Sequence, residues 1–306
     1  KRRESKCVLC GKCKDVCKKK MGVAGYWKYD SEDIVCINCG QCANVCPVES
    51  IVEQDDTAAL MDAINNKQKT VIIMTSPAVR VSLGEMFNYP AGEFVAGKMV
   101  SALKKLGADY VFDVAFGADL TIMEEASELI DRIKNDKVLP QFTSCCPAWV
   151  KFVETFYPQY IPNLSSCKSP ISMQASVIKN YFSKQIKVSP SDIVLVAMTP
   201  CVAKKFEIKR DELRGIYGQD TDFVVSVREM GKLLKKQKIN FKSLKDAPFD
   251  EAFPTGSGAG VIFGASGGVM EAAVRTAYHM TMGGNPPADL LHFKKLRGYK
   301  DVKTAT

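Results

Sequence analysis

Apolar residues gather along the chain in short blocks separated by stretches of helical spacing. Thr70-Val71-Ile72-Ile73-Met74-Thr75 and Ile193-Val194-Leu195-Val196-Ala197-Met198 are continuous runs of strand length, the pattern of strands buried on both faces. Asp109-Tyr110-Val111-Phe112-Asp113, Phe223-Val224-Val225 and a short Gln141-Phe142-Thr143 predict further strands. Gly97 to Leu106, Asp119 to Ile133 and Val227 to Lys236 carry helical periodicity; in the second, Leu120, Met123, Ile130 and Ile133 fall on related faces. Gly260-Val261-Ile262-Phe263-Gly264 leads into a helix from about Gly267 to Met280. The Gly256–Gly268 run lacks both a complete G-x-G-x-x-G and a Walker lysine, and reads as tight strand–helix packing. Strands alternating with helices predict an α/β unit with mostly parallel sheets. In such sheets sites collect beyond the carboxyl ends of strands, where Cys145, Cys146 and Cys201 are expected.

Upstream the pattern changes. Residues 1–52 are cysteine-rich and contain a twofold repeat: Cys7-Val8-Leu9-Cys10-Gly11-Lys12-Cys13-Lys14-Asp15-Val16-Cys17 recurs as Cys36-Ile37-Asn38-Cys39-Gly40-Gln41-Cys42-Ala43-Asn44-Val45-Cys46. A helix-like segment, Thr57 to Asn65, follows and ends in Asn65-Asn66-Lys67-Gln68-Lys69. The expected domains are therefore 1–68 and 69–306, in keeping with a length of 306 residues at roughly 150 per domain. An apolar content of 46% with 25% charged residues excludes a disordered or collagen-like chain. No stretch reaches the ~18 apolar residues of a bilayer span, and no apolar leader follows the charged start, so a cytoplasmic protein without membrane contact is expected. The chain does not begin with Met, which leaves room for an upstream segment.

Eight of the twelve cysteines lie in the first 46 residues, whereas a disulfide scaffold would be shorter and stapled throughout. With only His279 and His292, mixed Cys/His zinc sites and a His-based acid–base mechanism are disfavoured. Residues 1–30 hold ten Lys/Arg against Glu4, Asp15 and Asp30, nearly the whole net charge of +8. Such a run usually means nucleic acid or a solvated face, but the interleaved cysteines point elsewhere. Both repeats read C-x2-C-x2-C-x3-C, and Pro47 follows the second, which is the bacterial two-cluster ferredoxin pattern. In that pattern the fourth cysteine of each run ligates the other run's cluster. Cys7, Cys10, Cys13 and Cys46 are thus assigned to one [4Fe–4S] cluster, and Cys36, Cys39, Cys42 and Cys17 to the other. Paired structural zinc is the alternative, though it typically uses two separated C-x2-C pairs. Lys18, Lys19 and Lys20 would then surround an electron entry point, or simply form a solvated face.

Two further cysteine segments remain. In Thr143-Ser144-Cys145-Cys146-Pro147-Ala148-Trp149, Pro147 suits a first helical turn, whose dipole would stabilise a thiolate. In Met198-Thr199-Pro200-Cys201-Val202-Ala203-Lys204-Lys205-Phe206-Glu207, two cations follow the thiol. Alone, either segment could hold a buried structural cysteine. Downstream of a two-cluster unit, they look like a metal site fed by an electron wire.

Thr143-Ser144-Cys145-Cys146-Pro147-x-Trp149 resembles the first signature of the [FeFe]-hydrogenases, and Thr199-Pro200-Cys201-x-x-Lys204-Lys205-Phe206-Glu207 resembles the second. The likeness covers nearly the whole chain, including Thr121-Ile122-Met123-Glu124-Glu125 and the Gly258–Arg275 segment. The resemblance implies an α+β two-cluster ferredoxin-like domain followed by an α/β hydrogenase catalytic domain. The implied reaction is reversible reduction of protons to H2 at the H-cluster, a [4Fe–4S] cube bridged to a di-iron unit bearing CO, CN⁻ and a dithiolate. It makes Cys146 and Cys201 cubane ligands and Cys145 the proton donor and acceptor. Glu125, Glu128, Ser165 and Arg132 match the family's proton route. Lys204 and the Ser76-Pro77-Ala78 loop would hold cyanide, Thr199 would adjoin the cofactor, and Phe263 would wall the pocket. Implied partners are a ferredoxin or flavodoxin-like carrier, H2 and protons, and maturation proteins for the di-iron unit. Read without the family, Glu125 and Glu128 are as readily exposed helix carboxylates.

The chain departs from the family pattern in three places. Thr199 stands where better-known members have Met, and Ile171-Ser172-Met173-Gln174-Ala175 replaces a Gln-rich, Phe-Gly-containing segment after Lys168-Ser169-Pro170. A third signature, a C-x3-C run supplying two cubane ligands, is not reached before Lys303-Thr304-Ala305-Thr306. The expectation is either a fragment or a chain that cannot build the H-cluster alone. A hydrogenase-like iron–sulfur assembly protein and a plain electron carrier are the rival readings.

Overall fold

The computed structural model describes residues 3–23, 35–254, 256–265, 267–291, 293–298 and 302–304. Lys1, Arg2, Lys28 and Asp30 of the N-terminal charge count, and His292, lie outside the described residues. The cysteine-rich segment contributes helices α1 (Lys12–Lys19) and α2 (Gln41–Asn44), which pack together. Helix α3 (Thr57–Asn65) leads into strand β1 (Thr70–Thr75). There follow α4 (Ala96–Leu106), β2 (Tyr110–Asp113), α5 (Ala115–Lys134), α6 (Pro147–Phe156), α7 (Pro170–Val177), a π-helical turn (Ile178–Phe182) and α8 (Ser183–Gln185). Then come β3 (Ile193–Met198), α9 (Lys204–Glu207), β4 (Phe223–Val225), α10 (Val227–Lys236), α11 (Gly258–Ile262) and α12 (Gly268–Met282).

The four strands form one parallel sheet in the order β2-β1-β3-β4. Alternation along β1 sends Val71 and Ile73 to one face and Ile72 and Met74 to the other. The first face packs on Leu60, Met99, Leu103, Met230 and Leu234 of α3, α4 and α10. The second packs on Ile171, Ala175 and Ile178 of α7 and the π-helical turn. The unbroken apolar runs follow from this, because the central strands meet water on neither side.

Two expectations are corrected. Gln141-Phe142-Thr143 is no strand: Phe142 makes a single parallel bridge to Leu164, because no neighbouring strand runs alongside it. The Gly256–Gly268 run is not strand–helix packing either. Within it Gly258–Ile262 forms α11 against α5, and Cβ atoms at Gly256, just before that helix, and at Gly260 would lie 2.4 Å from Ala115 Cβ and 2.7 Å from Ala115 O. Small residues there permit helix–helix approach. Among the described residues, no helix is long and apolar enough to cross a membrane.

Candidate metal centre

In the sheet order, the chain moves outward from β1 to β2 on one side and from β3 to β4 on the other. The crevice between the loops after β1 and β3 is therefore the topological switch point. The Ser76-Pro77-Ala78 loop lies there. Ser76 donates its N–H to Met198 O (2.9 Å) at the end of β3, and Pro77 opens a 3-10 helix, Pro77–Val81. Arg80 ties that helix to Asp113 at the end of β2 (2.6 Å). Thr199 is buried, donates its N–H to Val225 O (3.1 Å), and delivers the chain to Cys201.

Cys145 and Cys146 reach the same region by another path. They lie in the connection from α5 to α6 rather than at the end of a sheet strand, which corrects the expectation for both. Cys146 is the N-cap residue of α6, and Pro147 occupies the first turn. Cys145 stands one position outside the cap, beyond the strong reach of the helix dipole. Burial governs it, pushing the thiol up to about 11 against the pull of Lys204. Cys201 is also raised by burial; backbone N–H groups and Lys204 oppose this, while Cys146 adds to it.

Lys204 joins the two loops. Its buried ammonium donates to Cys145 O (2.9 Å) and Glu207 Oε2 (2.6 Å). Glu207 accepts in turn from the hydroxyls of Ser169 and Ser172. A lysine in a largely buried site keeps its charge only with such a partner. Sequence reasoning missed Glu207 and Ser169 as site residues, although the i,i+3 spacing of Lys204 and Glu207 was a usable signal. Ser144 was also missed: its Oγ donates to Cys167 O (2.9 Å) and pins the turn that presents Cys145.

Glu125 and Glu128 both project from α5 but meet different surroundings. Glu125 is 1% exposed, and neither carboxyl oxygen has a partner at hydrogen-bonding geometry. Burial pushes it up to about 7; Ser144 N–H and the Ser165 hydroxyl lie near enough to oppose this only in part. Burial also opposes ionisation of Glu128, but bonds from Ser165, Arg132 and Ser166 outweigh it and hold the carboxyl below its ordinary range. Ser165 Oγ donates to Glu128 Oε2 at 2.7 Å, and Arg132 Nη2 to Glu128 Oε1 at 2.7 Å. Arg132 also donates to the carbonyls of Val138, Pro162 and Leu164, so it fastens the carboxylate to two loops. A cavity of about 220 Å³, lined by Ser144, Ser165, Cys167, Ser169 and Glu207 among others, lies between this group and the Lys204 pair. Phe263 is half-buried at the C-cap of α11.

The two cysteine repeats share one turn, although the helix that follows is longer in the first. Leu9 and Asn38 hold equivalent places with φ of 53° and 59°, as do Gly11 and Gly40, both at 73°. Left-handed turns of this kind aim successive N–H groups into a concavity suited to an anionic cluster. Asn38 N–H lies 3.4 Å from Cys36 Sγ, and Ser50 N–H lies 3.2 Å from Cys46 Sγ. Backbone N–H groups around Cys46 hold its thiol low, whereas burial and then Cys36 and Cys39 raise Cys42. The donor set fits thiolate-ligated clusters. Among the described residues, no three His, Cys, Asp or Glu side chains converge as a single bound ion would require.

Residues 69–306 match the family described as "Iron only hydrogenase large subunit, C-terminal domain". The chain is 42% identical over 315 residues to "Iron hydrogenase 1" of Clostridium pasteurianum, covering 98% of this chain and 54% of that protein. It is 44% identical over 237 residues to the "Periplasmic [Fe] hydrogenase large subunit" of Nitratidesulfovibrio vulgaris, covering 77% and 56%. The chain thus spans just over half the length of these relatives. A solved structure of a variant of apo [FeFe]-hydrogenase HydA1 from Chlamydomonas reinhardtii superposes with a TM-score of 0.73 at 38% identity, over 82% of this chain and 64% of that one. Proteins named as cytosolic Fe–S cluster assembly factors match as well, at 33% and 30% identity. Sequence and backbone point the same way from residue 69 onward, and the chain belongs to the iron-only hydrogenase family.

Proposed function

We propose that this chain is the electron-input and partial catalytic region of an enzyme that interconverts H2 with protons and electrons. The observation that carries the reading is the Lys204 bridge. A buried ammonium, compensated by Glu207, clamps the Cys145-Cys146 turn against the loop bearing Cys201. In this reading Cys146 and Cys201 would be two of the cubane's ligands, and the Lys204 ammonium and the Ser76-Pro77-Ala78 loop would hold the cyanides of the di-iron unit. When bound, the H-cluster supplies the metal at which protons and electrons combine. Cys145 holds the last proton on the protein side, as a thiol that burial keeps protonated. Glu125, poised near neutrality, exchanges protons with it. Ser165 and the ionised Glu128 carry protons outward, and Arg132 holds Glu128 in place.

Electrons would pass through two [4Fe–4S] clusters in the cysteine repeats to a ferredoxin or flavodoxin-like carrier, and maturation proteins would deliver the di-iron unit. A reducing compartment such as the cytoplasm suits thiolate ligands. Infrared spectroscopy after maturation, on protein in which the C-x3-C ligands are supplied, tests the reading: CO and CN⁻ stretching bands accompanied by H2 turnover are expected. Iron–sulfur clusters with neither band would favour the assembly-protein reading instead.

A further inference from the structure

Lys204 and Lys205 are adjacent, yet they serve opposite sides of the Cys201 loop. Lys204 turns toward Cys145 and Glu207. Lys205 turns the other way and spends its three donors across the joint: on Asp56 Oδ2 at 2.6 Å, on the chain leaving the second cysteine repeat, and on Val224 O at 2.5 Å and Glu229 Oε1 at 3.0 Å of β4 and α10. Its side chain is 11% exposed, and those of Asp56 and Glu229 are 15% and 5% exposed. Glu229 is itself rigid. It forms the capping box of α10 with Ser226 and also accepts the Asp56 N–H at 3.1 Å. Asp56 stands immediately before α3, on the chain leaving the second cysteine repeat. A second tie, Arg228 to Glu53 at 3.3 Å, has a half-exposed arginine and is weaker for it.

What this cluster holds in place is a close contact. Gly40, between Cys39 and Cys42, has φ of 73°, and a Cβ there would lie 2.0 Å from Val202 Cγ2. Val202 follows Cys201 directly. The second repeat therefore presses its backbone against the residue next to a proposed cubane ligand. A cavity of about 620 Å³ with Cys39 and Cys201 in its walls opens beside that contact.

We propose that Lys205, Asp56 and Glu229 form a positioning latch that sets the separation between the second cysteine repeat and the Cys201 loop. The latch rests on the relay reading above. Electron tunnelling weakens exponentially with separation, so a loose joint would slow electrons supplied by a ferredoxin-type carrier without altering either metal site. The charges suit a latch, because removing the single ammonium leaves two poorly hydrated carboxylates facing each other across the joint.

The test uses protein in which the two remaining cubane ligands are supplied, carrying its clusters. Electron paramagnetic resonance reads the magnetic interaction between the second repeat's cluster and the catalytic centre, and rapid mixing reads electron arrival. Lys205→Met should lose that interaction and slow electron arrival, with iron content and each cluster's own spectrum unchanged. Lys205→Arg, which keeps the charge and the donors, should restore both. If Lys205→Met fails to fold, Asp56→Asn decides, since it loosens only the cysteine-rich side of the latch. Normal interaction and electron arrival in Lys205→Met or Asp56→Asn would overturn the latch alone. Wild-type protein lacking clusters in residues 1–52 would overturn the relay reading, and with it the latch's electron role.

Discussion

At Glu125, burial, helped by the neighbouring Glu128 charge, raises the carboxyl from 4.5 to about 7, and this has a stability signature. Between those values the unfolded chain has released its proton while the folded chain keeps it. Stability contributed at this site is therefore whole below pH 4.5 and is lost as pH rises through about 7. Glu125→Gln removes the dependence. The variant should gain stability over the parent between pH 5 and pH 8 by up to about 3 kcal/mol, measured by denaturant unfolding at both values. An equal difference at both pH values would place the proton elsewhere. H2 turnover in the same variant should fall by orders of magnitude, because an amide cannot pass a proton on. On the proposed function, and in a version that carries the third cysteine signature, Cys145→Ser should likewise keep the CO and CN⁻ bands and lose turnover, whereas Cys146→Ser should disturb the cubane. The residue types at these positions were legible as motifs. Their titration was not: a helix-terminal thiolate was the natural expectation for the Cys-Cys-Pro turn, and burial reversed it at Cys145.

Among the elements, the long apolar runs were read correctly because β1 and β3 are buried on both faces and carry little else. Short or glycine-rich segments were misread where a partner remote in sequence decides the conformation. Phe142 bridges only Leu164, and Gly256 and Gly260, just before and within α11, are explained by Ala115 of α5. The same logic applies where α5 crosses α7. A Cβ at Gly117 would lie 2.2 Å from Pro170 O, so Gly117→Ala must push the two helices apart. It should destabilise the protein by roughly 1–3 kcal/mol in denaturant unfolding despite alanine's higher helix propensity. Wild-type stability would mean that α7 can shift freely. In the cysteine repeats, the matched φ values at Leu9 and Asn38 and at Gly11 and Gly40 describe two equivalent cradles. If each is closed by the other's fourth cysteine, Cys17→Ala should damage the cluster of residues 36–42, and Cys46→Ala that of residues 7–13. Damage confined to the mutated repeat, seen by Mössbauer or paramagnetic resonance, would refute the cross-ligation.

Across the whole molecule, the strand order that creates the switch point could not be read locally. Nothing in residues 70–75 or 193–198 says that β3 inserts beside β1, yet this pairing puts the Ser76 loop next to Thr199 and Cys201. The meeting of Gly40 with Val202 depends on the same long-range packing. Charge, by contrast, was legible from composition, because the excess of cations lies in the first 30 residues. Lys18, Lys19 and Lys20 are exposed at the end of α1, and only Lys19 among them has a described ion pair, to Asp15 at 3.3 Å. That pair offsets one cation, and the run stays positive. An acidic electron carrier should therefore be drawn to this end of the molecule at low ionic strength, and the attraction should fade as the Debye length shrinks toward about 8 Å at physiological salt. Reversing the three lysines to Glu should slow electron delivery in dilute buffer and flatten its dependence on salt, leaving reduction by a small uncharged donor unchanged. If delivery and its salt dependence both survive the reversal, the basic run is only a solvated face, and the carrier docks elsewhere.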